Sequence, residues 1–407
     1  MKFSIEIVDH IFSFLIPNHR QTLIGCSKDP VLSPIVDRLL YRHVKIRFGT
    51  FIDSNAFEPG HFIKLLSENP HIGCHVRGLH IQVDAQGLIP DSFANTLELF
   101  PLLEFIRLTH NDDWAWPGPF DTAIERCLSL PTMKELYLET YNSNMAAPIS
   151  FLNYPKNIKY LTLDGVSNLD CRNGPVSTLP QLHSLRLLTD YISPTLLDWV
   201  KRHTSELQSL KFELEDWESV SEILGSCSAS GTLKKWDVSI LYTSCMVQFS
   251  LLSVYTATLK TDHTVRTGEG KPLPELTPTP TNLEQLTIRT GVLMDSRLPS
   301  QFPSSWLPAT AKIITLLISS LRHLILDIDL FMCPDFAKVD FSPLAILGVA
   351  SRSIPRIDLY IHSDMLLASG PAPAEFLSLL GNDEDVERAI KDGVMVIHSG
   401  KTAPDEY

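Results

Sequence analysis

Few residues in this sequence are placed to do chemistry. The densest metal-capable group is HIGCHVRGLH, which holds His71, Cys74, His75 and His80. A structural zinc site needs four converging ligands, usually as two spaced pairs, and no second pair follows at that spacing. His80 alternates with Leu79 and Ile81, so on a strand it points away from the core. TGEGKP (267–272) has glycines and a lysine but not the GxxxxGK[ST] spacing, and Pro272 stands where a hydroxyl would reach Mg²⁺. The acidic run Asp383–Glu387 lacks the glycine and the spaced oxygen ligands of a calcium loop and reads as a solvated helix face. HExxH and GxSxG do not occur. The expectation is a non-enzyme with no catalytic residue, no metal and no cofactor.

Composition narrows the partners. The 407 residues carry 34 Lys+Arg against 47 Asp+Glu, a net charge of −13. That balance disfavours a general binder of nucleic acid or of an anionic membrane. Hydrophobic residues at 44% are enough to build a core. The seven cysteines form no CxxC pair, and their odd number fits a reducing compartment. The longest apolar stretch, near Ile313–Leu321, falls far short of the roughly 20 residues that span a bilayer. The N-terminus lacks a signal-peptide core and no Asn-x-Ser/Thr occurs, so the chain is expected inside the cell, in cytoplasm or nucleus.

What must position any functional side chain is a repeat. The pattern apolar-x-x-apolar-x-apolar recurs as VRGLHI (76–81), LEFIRL (103–108), MKELYL (133–138), IKYLTL (158–163), LHSLRL (182–187), LQSLKF (207–212), LKKWDV (233–238), LEQLTI (283–288), LRHLIL (321–326) and IPRIDL (354–359). A degenerate copy is expected at VYTATL (254–259), inside the one double-length gap. Pro101, Pro131, Pro155 and Pro180 each precede a copy, as suits residues that cannot donate to a strand ladder. Helices are expected between the strands at 61–66, 92–100, 122–128, 193–203, 218–227 and 309–320, with Ser193-Pro194 as a start signal. A strand-plus-helix unit of about 25 residues lies in the leucine-rich-repeat range. One such unit cannot bury its own apolar side, and stacking the units makes a common core. A doubly wound α/β sheet also alternates strand and helix but has no reason to repeat LxxLxL. The expected fold class is therefore α/β: a short N-terminal three-helix unit at 1–42, a leucine-rich-repeat solenoid at 43–363 and a C-terminal cap with a frayed tail at 364–407. Two insertions break the period. HNDDWAWPGPF (110–120) carries Trp114 and Trp116, and the Pro/Thr-rich 266–282 reads as an extended loop.

The first forty residues differ from the repeats. SIEIVDHIFSFL sets Ile7, Ile11 and Phe14 on one helical stripe and Val8, Phe12 and Leu15 on the next. A helix apolar on two faces needs two partners, and a unit this small cannot supply both. Two further short helices are expected, about 19–26 and 31–40. SIEIVDHIFSFL, RQTLIGCSKD and SPIVDRLLYRHVKI together resemble an F-box, with Phe3–Ile7 aligned on its opening and Ser4 where the family usually has Pro. The following FEPGHFIKLLSENPHIGCHVRGLHI resembles F-box proteins of mushroom-forming fungi that carry a degenerate leucine-rich array. The resemblance implies a substrate-recognition subunit of a cullin–RING ubiquitin ligase. It also implies that Ile5, Ile7, Ile11, Phe12, Leu15 and Leu23 face a Skp-type adaptor. The alternative is a repeat scaffold with a decayed F-box that binds proteins outside any ligase.

The repeat strands themselves offer a second surface. The last two apolar residues of LxxLxL enter the core, so alternation sends their neighbours to the opposite face. Phe105, Arg107, Tyr137, Tyr160, Arg186 and Lys211 are the candidates there for contact with an unknown protein substrate. Aromatic side chains among mixed charges suit a protein surface better than a phosphate backbone.

Overall fold

The computed structural model describes residues 33–49, 56–84, 87–110, 118–140, 145–148, 150–170, 179, 181–189, 191–203, 206–213, 217–240, 282–291, 307–330, 339–362, 384–399 and 403. The whole adaptor-facing set (Ile5, Ile7, Ile11, Phe12, Leu15, Leu23) lies outside these residues. So do the Trp114/Trp116 loop, the degenerate copy at 254–259 and almost all of the insertion at 266–282. The chain is α/β and divides into two compact units, Met1–Leu185 and Arg186–Tyr407. Repeat phase, unlike compactness, sets boundaries at 42 and 363.

In the first unit α1 (Ser33–Leu40) leads into β1 (His43–Phe48), then α2 (Pro59–Glu68), β2 (Gly78–Val83), α3 (Asp91–Thr96), β3 (Phe105–His110), α4 (Gly118–Leu128) and β4 (Glu135–Thr140). There follow β5 (Met145–Pro148), α5 (Ser150–Asn153), β6 (Tyr160–Asp164) and β7 (Val166–Asp170). β8 (Ser184–Leu188) crosses the boundary between the units. The second unit continues with α6 (Pro194–His203), β9 (Ser209–Glu213), α7 (Trp217–Ser230), β10 (Lys235–Ile240), β11 (Gln285–Gly291), α8 (Leu307–Leu317) and β12 (His323–Asp329). It closes with α9 (Ile346–Ala350), β13 (Arg356–His362), α10 (Glu384–Lys391) and β14 (Met395–Ser399).

All ten expected strands are present. In the first unit β1-β2-β3-β4-β6 pair in parallel with unbroken register. In the second, β9-β10-β11-β12-β13-β14 do the same. Register stacks like on like: Leu79, Ile106, Leu136 and Leu161 form one row, and Ile81, Leu108, Leu138 and Leu163 the next, all essentially inaccessible to water. Each such side chain contributes about 1.5–3 kcal/mol over its exposed state. The first apolar position of every copy, from Val76 to Ile354, is buried as well.

The second position of the repeat does structural work through its carbonyl. Arg77 O accepts from both Glu104 N and Phe105 N, Glu104 O from Lys134 N and Glu135 N, and Lys134 O from Lys159 N and Tyr160 N. The second unit repeats the device at Gln208, Lys234 and Glu284. Arg42 O does it for Arg77 and Gly78, which identifies YRHVKI (41–46) as a further copy with Tyr41 in the first apolar place. IPRIDL cannot take both bonds, since Pro355 has no N–H to give.

The helices lie against the apolar side of the strands. Phe93 of α3 meets Phe48 of β1 edge-on with centroids 5.0 Å apart, and Phe93 stacks on Phe120 of α4. Ser193 caps α6 as expected, its hydroxyl accepting from Leu196 N. α2 begins two residues before the expected His61, because Pro59 fits its first turn and the Glu58 carboxylate accepts from Gly60 N and His61 N. A two-stranded sheet of β5 and β7 was not expected. It hangs on Gly165, whose φ of +67° turns the chain where a Cβ would lie 2.0 Å from Thr140 O. The region read as a cap adds a further parallel strand, β14 on β13.

Candidate functional site

Parallel in-register pairing turns the side of the strands away from the helices into rows. In the first unit one row reads His43, Gly78, Phe105, Glu135, Tyr160, and the next Lys45, His80, Arg107, Tyr137, Thr162. The structure thus brings four of the candidates onto one face. Arg107 and Tyr137 are directly paired across β3 and β4, while Phe105 and Tyr160 flank Glu135. Tyr160 is 49% exposed and Phe105 half-buried.

Arg107 and Tyr137 belong to a connected set of hydrogen bonds. The guanidinium donates to Glu139 Oε2 from Nε at 3.0 Å and from Nη2 at 2.8 Å, and it lies 4.1 Å over the Tyr137 ring. Thr109 Oγ1 donates to the same oxygen at 2.6 Å, and His80 Nε2 lies 3.0 Å from Thr109 Oγ1. Tyr137 Oη donates to Asp164 Oδ2 at 2.5 Å. Burial alone would lower the Arg107 pKa, but the Glu139 carboxylate raises it above the ordinary value. Burial and the Asp164 carboxylate push the Tyr137 phenol well up, so it stays a donor. His80 does point away from the core, as its alternation predicts.

In the second unit the corresponding rows are Lys211, Asp237, Thr287, Ile325, Asp358, Val396 and Glu213, Ser239, Arg289, Asp327, Tyr360, His398. Lys211, a candidate from sequence, is only 12% exposed at its side chain and stands 3.6 Å from Glu213 Oε1. Arg186 is half-buried on β8. Arg186 is thus as open as Phe105, whereas Lys211 is nearly covered.

Among the described residues, a dense cluster of charge lies on β11 to β14, outside the candidates from sequence. Asp358, 3% exposed, meets His323 Nε2 at 2.7 Å, Arg356 Nε at 2.8 Å and His398 Nε2 at 3.2 Å. Tyr360 stacks on His398 with centroids 4.3 Å apart. Across β10 to β12, Arg289 Nη1 is 3.2 Å from Asp327 Oδ2 and Arg289 Nε is 3.6 Å from Asp237 Oδ1. His362 lies between Asp327, 3.0 Å from Nε2, and Asp329, 3.8 Å from Nδ1. Burial pushes the Asp358 pKa up, yet the hydrogen bonds from His323, His398 and Arg356 outweigh it and hold the carboxyl below its usual range. For Asp237 burial prevails over Arg289 and Lys211, and its pKa is raised.

Strand alternation is the signal that finds this set: applied to LEQLTI, LRHLIL and IPRIDL it names Arg289, Asp327, Asp358 and Tyr360. Among the described residues no three His, Cys, Asp or Glu side chains converge to hold a metal. The buried thiols of Cys127 and Cys227 are pushed up to about 12 by burial, which leaves them protonated near neutral pH. The arrangement can cross-link strands and present charge and aromatic area. Compared with known proteins, the chain matches no family model and no curated protein sequence.

Proposed function

We propose that the chain is a protein-recognition subunit. Its leucine-rich-repeat solenoid holds a protein substrate, and its F-box-like N-terminus docks on the Skp-type adaptor of a cullin–RING ubiquitin ligase. The observation that carries the recognition half is the set of in-register rows, where Phe105, Arg107, Tyr137 and Tyr160 share one face of parallel strands. Rigid strands hold aromatic and charged groups at fixed spacing, which lowers the ordering cost of binding a protein. The adaptor half rests on the resemblance of residues 1–42. The subunit would act by proximity, holding substrate and ligase in one geometry so that transfer becomes effectively intramolecular. It would supply no reacting group.

The test is affinity capture of the full chain with proteasome inhibition. A Skp-type adaptor is expected with the wild-type chain and at least tenfold less with Ile7→Asp/Ile11→Asp. Capture of other proteins by both chains, with the adaptor absent from both, would replace the ligase reading by that of a repeat scaffold.

A further inference from the structure

One residue near the C-terminus sits in the charged set of the second unit. Ala403 is 4% exposed. Its N–H donates to Asp327 Oδ2 at 3.2 Å, and its C=O accepts from Arg289 Nη1 at 3.4 Å. Arg289 Nη1 also donates to that same Asp327 oxygen at 3.2 Å. The four groups close a ring: amide, carboxylate, guanidinium, carbonyl. Both main-chain groups of a single residue are satisfied by two side chains, as a neighbouring strand would satisfy them.

The placement requires the chain to come back over its own sheet. β14 ends at Ser399 and pairs with β13, whereas Asp327 and Arg289 belong to β12 and β11. Four residues reach at most about 14 Å, and two strand spacings are about 10 Å, so the return is within reach. Within KTAPDEY (401–407), the stretch expected to fray, Ala403 is held.

We infer that Arg289 and Asp327 form a seat for the main chain of an extended peptide segment, and that Ala403 occupies it until a protein partner's segment displaces it. A carboxylate that takes an N–H and a guanidinium that takes the C=O of the same residue read the backbone and not the side chain. Two limits follow from the geometry. The seated residue must have an N–H, which excludes proline, and it must be small, since Ala403 is buried. What displaces the tail rests on the recognition reading above, but the seat does not.

The seat is tested without adaptor or substrate. The probe is a fluorescent peptide of residues 400–407 (GKTAPDEY), titrated by anisotropy to 1 mM against full-length chains. Ala403→Pro removes the donor and vacates the seat. Ala403→Gly keeps both backbone groups and stays occupied. The Ala403→Pro chain is expected to bind the peptide at least tenfold more tightly than wild type, with Ala403→Gly like wild type. A peptide N-methylated at the Ala403 amide is expected not to bind. Equal binding by wild type and Ala403→Pro, or no binding to Ala403→Pro at 1 mM, overturns the seat. Matching far-ultraviolet circular dichroism and melting temperature establish that the variants are folded. Loss of adaptor capture would refute the ligase reading and leave this result untouched.

Discussion

The two units use the same strands and the same register, yet their polar faces are built differently. In the first, the bonds run stepwise between adjacent strands, from His80 through Thr109 and Glu139 to Arg107, with Tyr137 on Asp164 beside it. Arg107 of this set, and Tyr160 in the neighbouring row, keep contact with water. In the second, sunken carboxylates are shared: Asp327 is 5% and Asp358 3% exposed at the side chain, each meeting more than one basic group, whereas the equally sunken Asp84 of the first unit takes two bonds from Arg47. The contrast teaches that position on the strand sets which residues face outward, while coverage sets what they are worth. A charge pair open to water contributes little, but breaking a buried one strands its partners.

The largest effect that could break this comparison is Asp327→Ala. It removes the carboxylate oxygen that accepts from Arg289 and the Ala403 amide, together with the oxygen 3.0 Å from His362, and is expected to cost about 3–5 kcal/mol in urea unfolding. A loss no greater than that of a surface substitution would show the sunken carboxylates to be no different from open ones.

Next comes Asp358→Asn, with an expected loss of about 2 kcal/mol at pH 7. The folded pKa of Asp358 is lowered, so its stabilisation is present above the unfolded value near about 3.9 and is lost as pH falls through the folded value. The gap between wild type and variant should therefore close in acid. Asp237 has the opposite sign. Its raised pKa means the folded state holds the proton more firmly, so its contribution falls as pH rises through the interval between the two values. Melting curves of Asp237→Asn and Asp358→Asn from pH 3 to 7 should diverge; parallel curves would refute the contrast.

In the first unit, Glu139→Gln weakens the Arg107 and Thr109 bonds while keeping shape and is expected to cost about 1–2 kcal/mol. A cost equal to that of Asp327→Ala would erase the distinction between the units. The smallest expected change is Ser193→Ala, about 1 kcal/mol for a lost cap on α6, read from the same unfolding curves.

Much of the fold was legible because it is local and repeated. The LxxLxL phase placed ten strands, and Ser193-Pro194 placed a helix start. The copy at Tyr41 was hidden inside the stretch read for its helices, and the β1–β2 register and the Arg42 carbonyl expose it. Phe105, Arg107, Tyr137 and Tyr160 were placed on one face correctly, since alternation is a short-range rule. That Arg107 would spend its donors on Glu139, and that Lys211 would be nearly covered, depended on neighbours one or more repeats away.

By itself, then, the sequence determined the strand phase, the buried apolar rows and the residues that face away from them, because side-chain alternation and the turn between repeats are properties of a few consecutive residues. Only the tertiary structure decided which outward residues become buried partners. Asp327 meets His362 and Ala403, 35 and 76 residues further on, through stacking of strands and the return of the C-terminus. Such meetings follow from the register of whole repeats, and no local pattern encodes them.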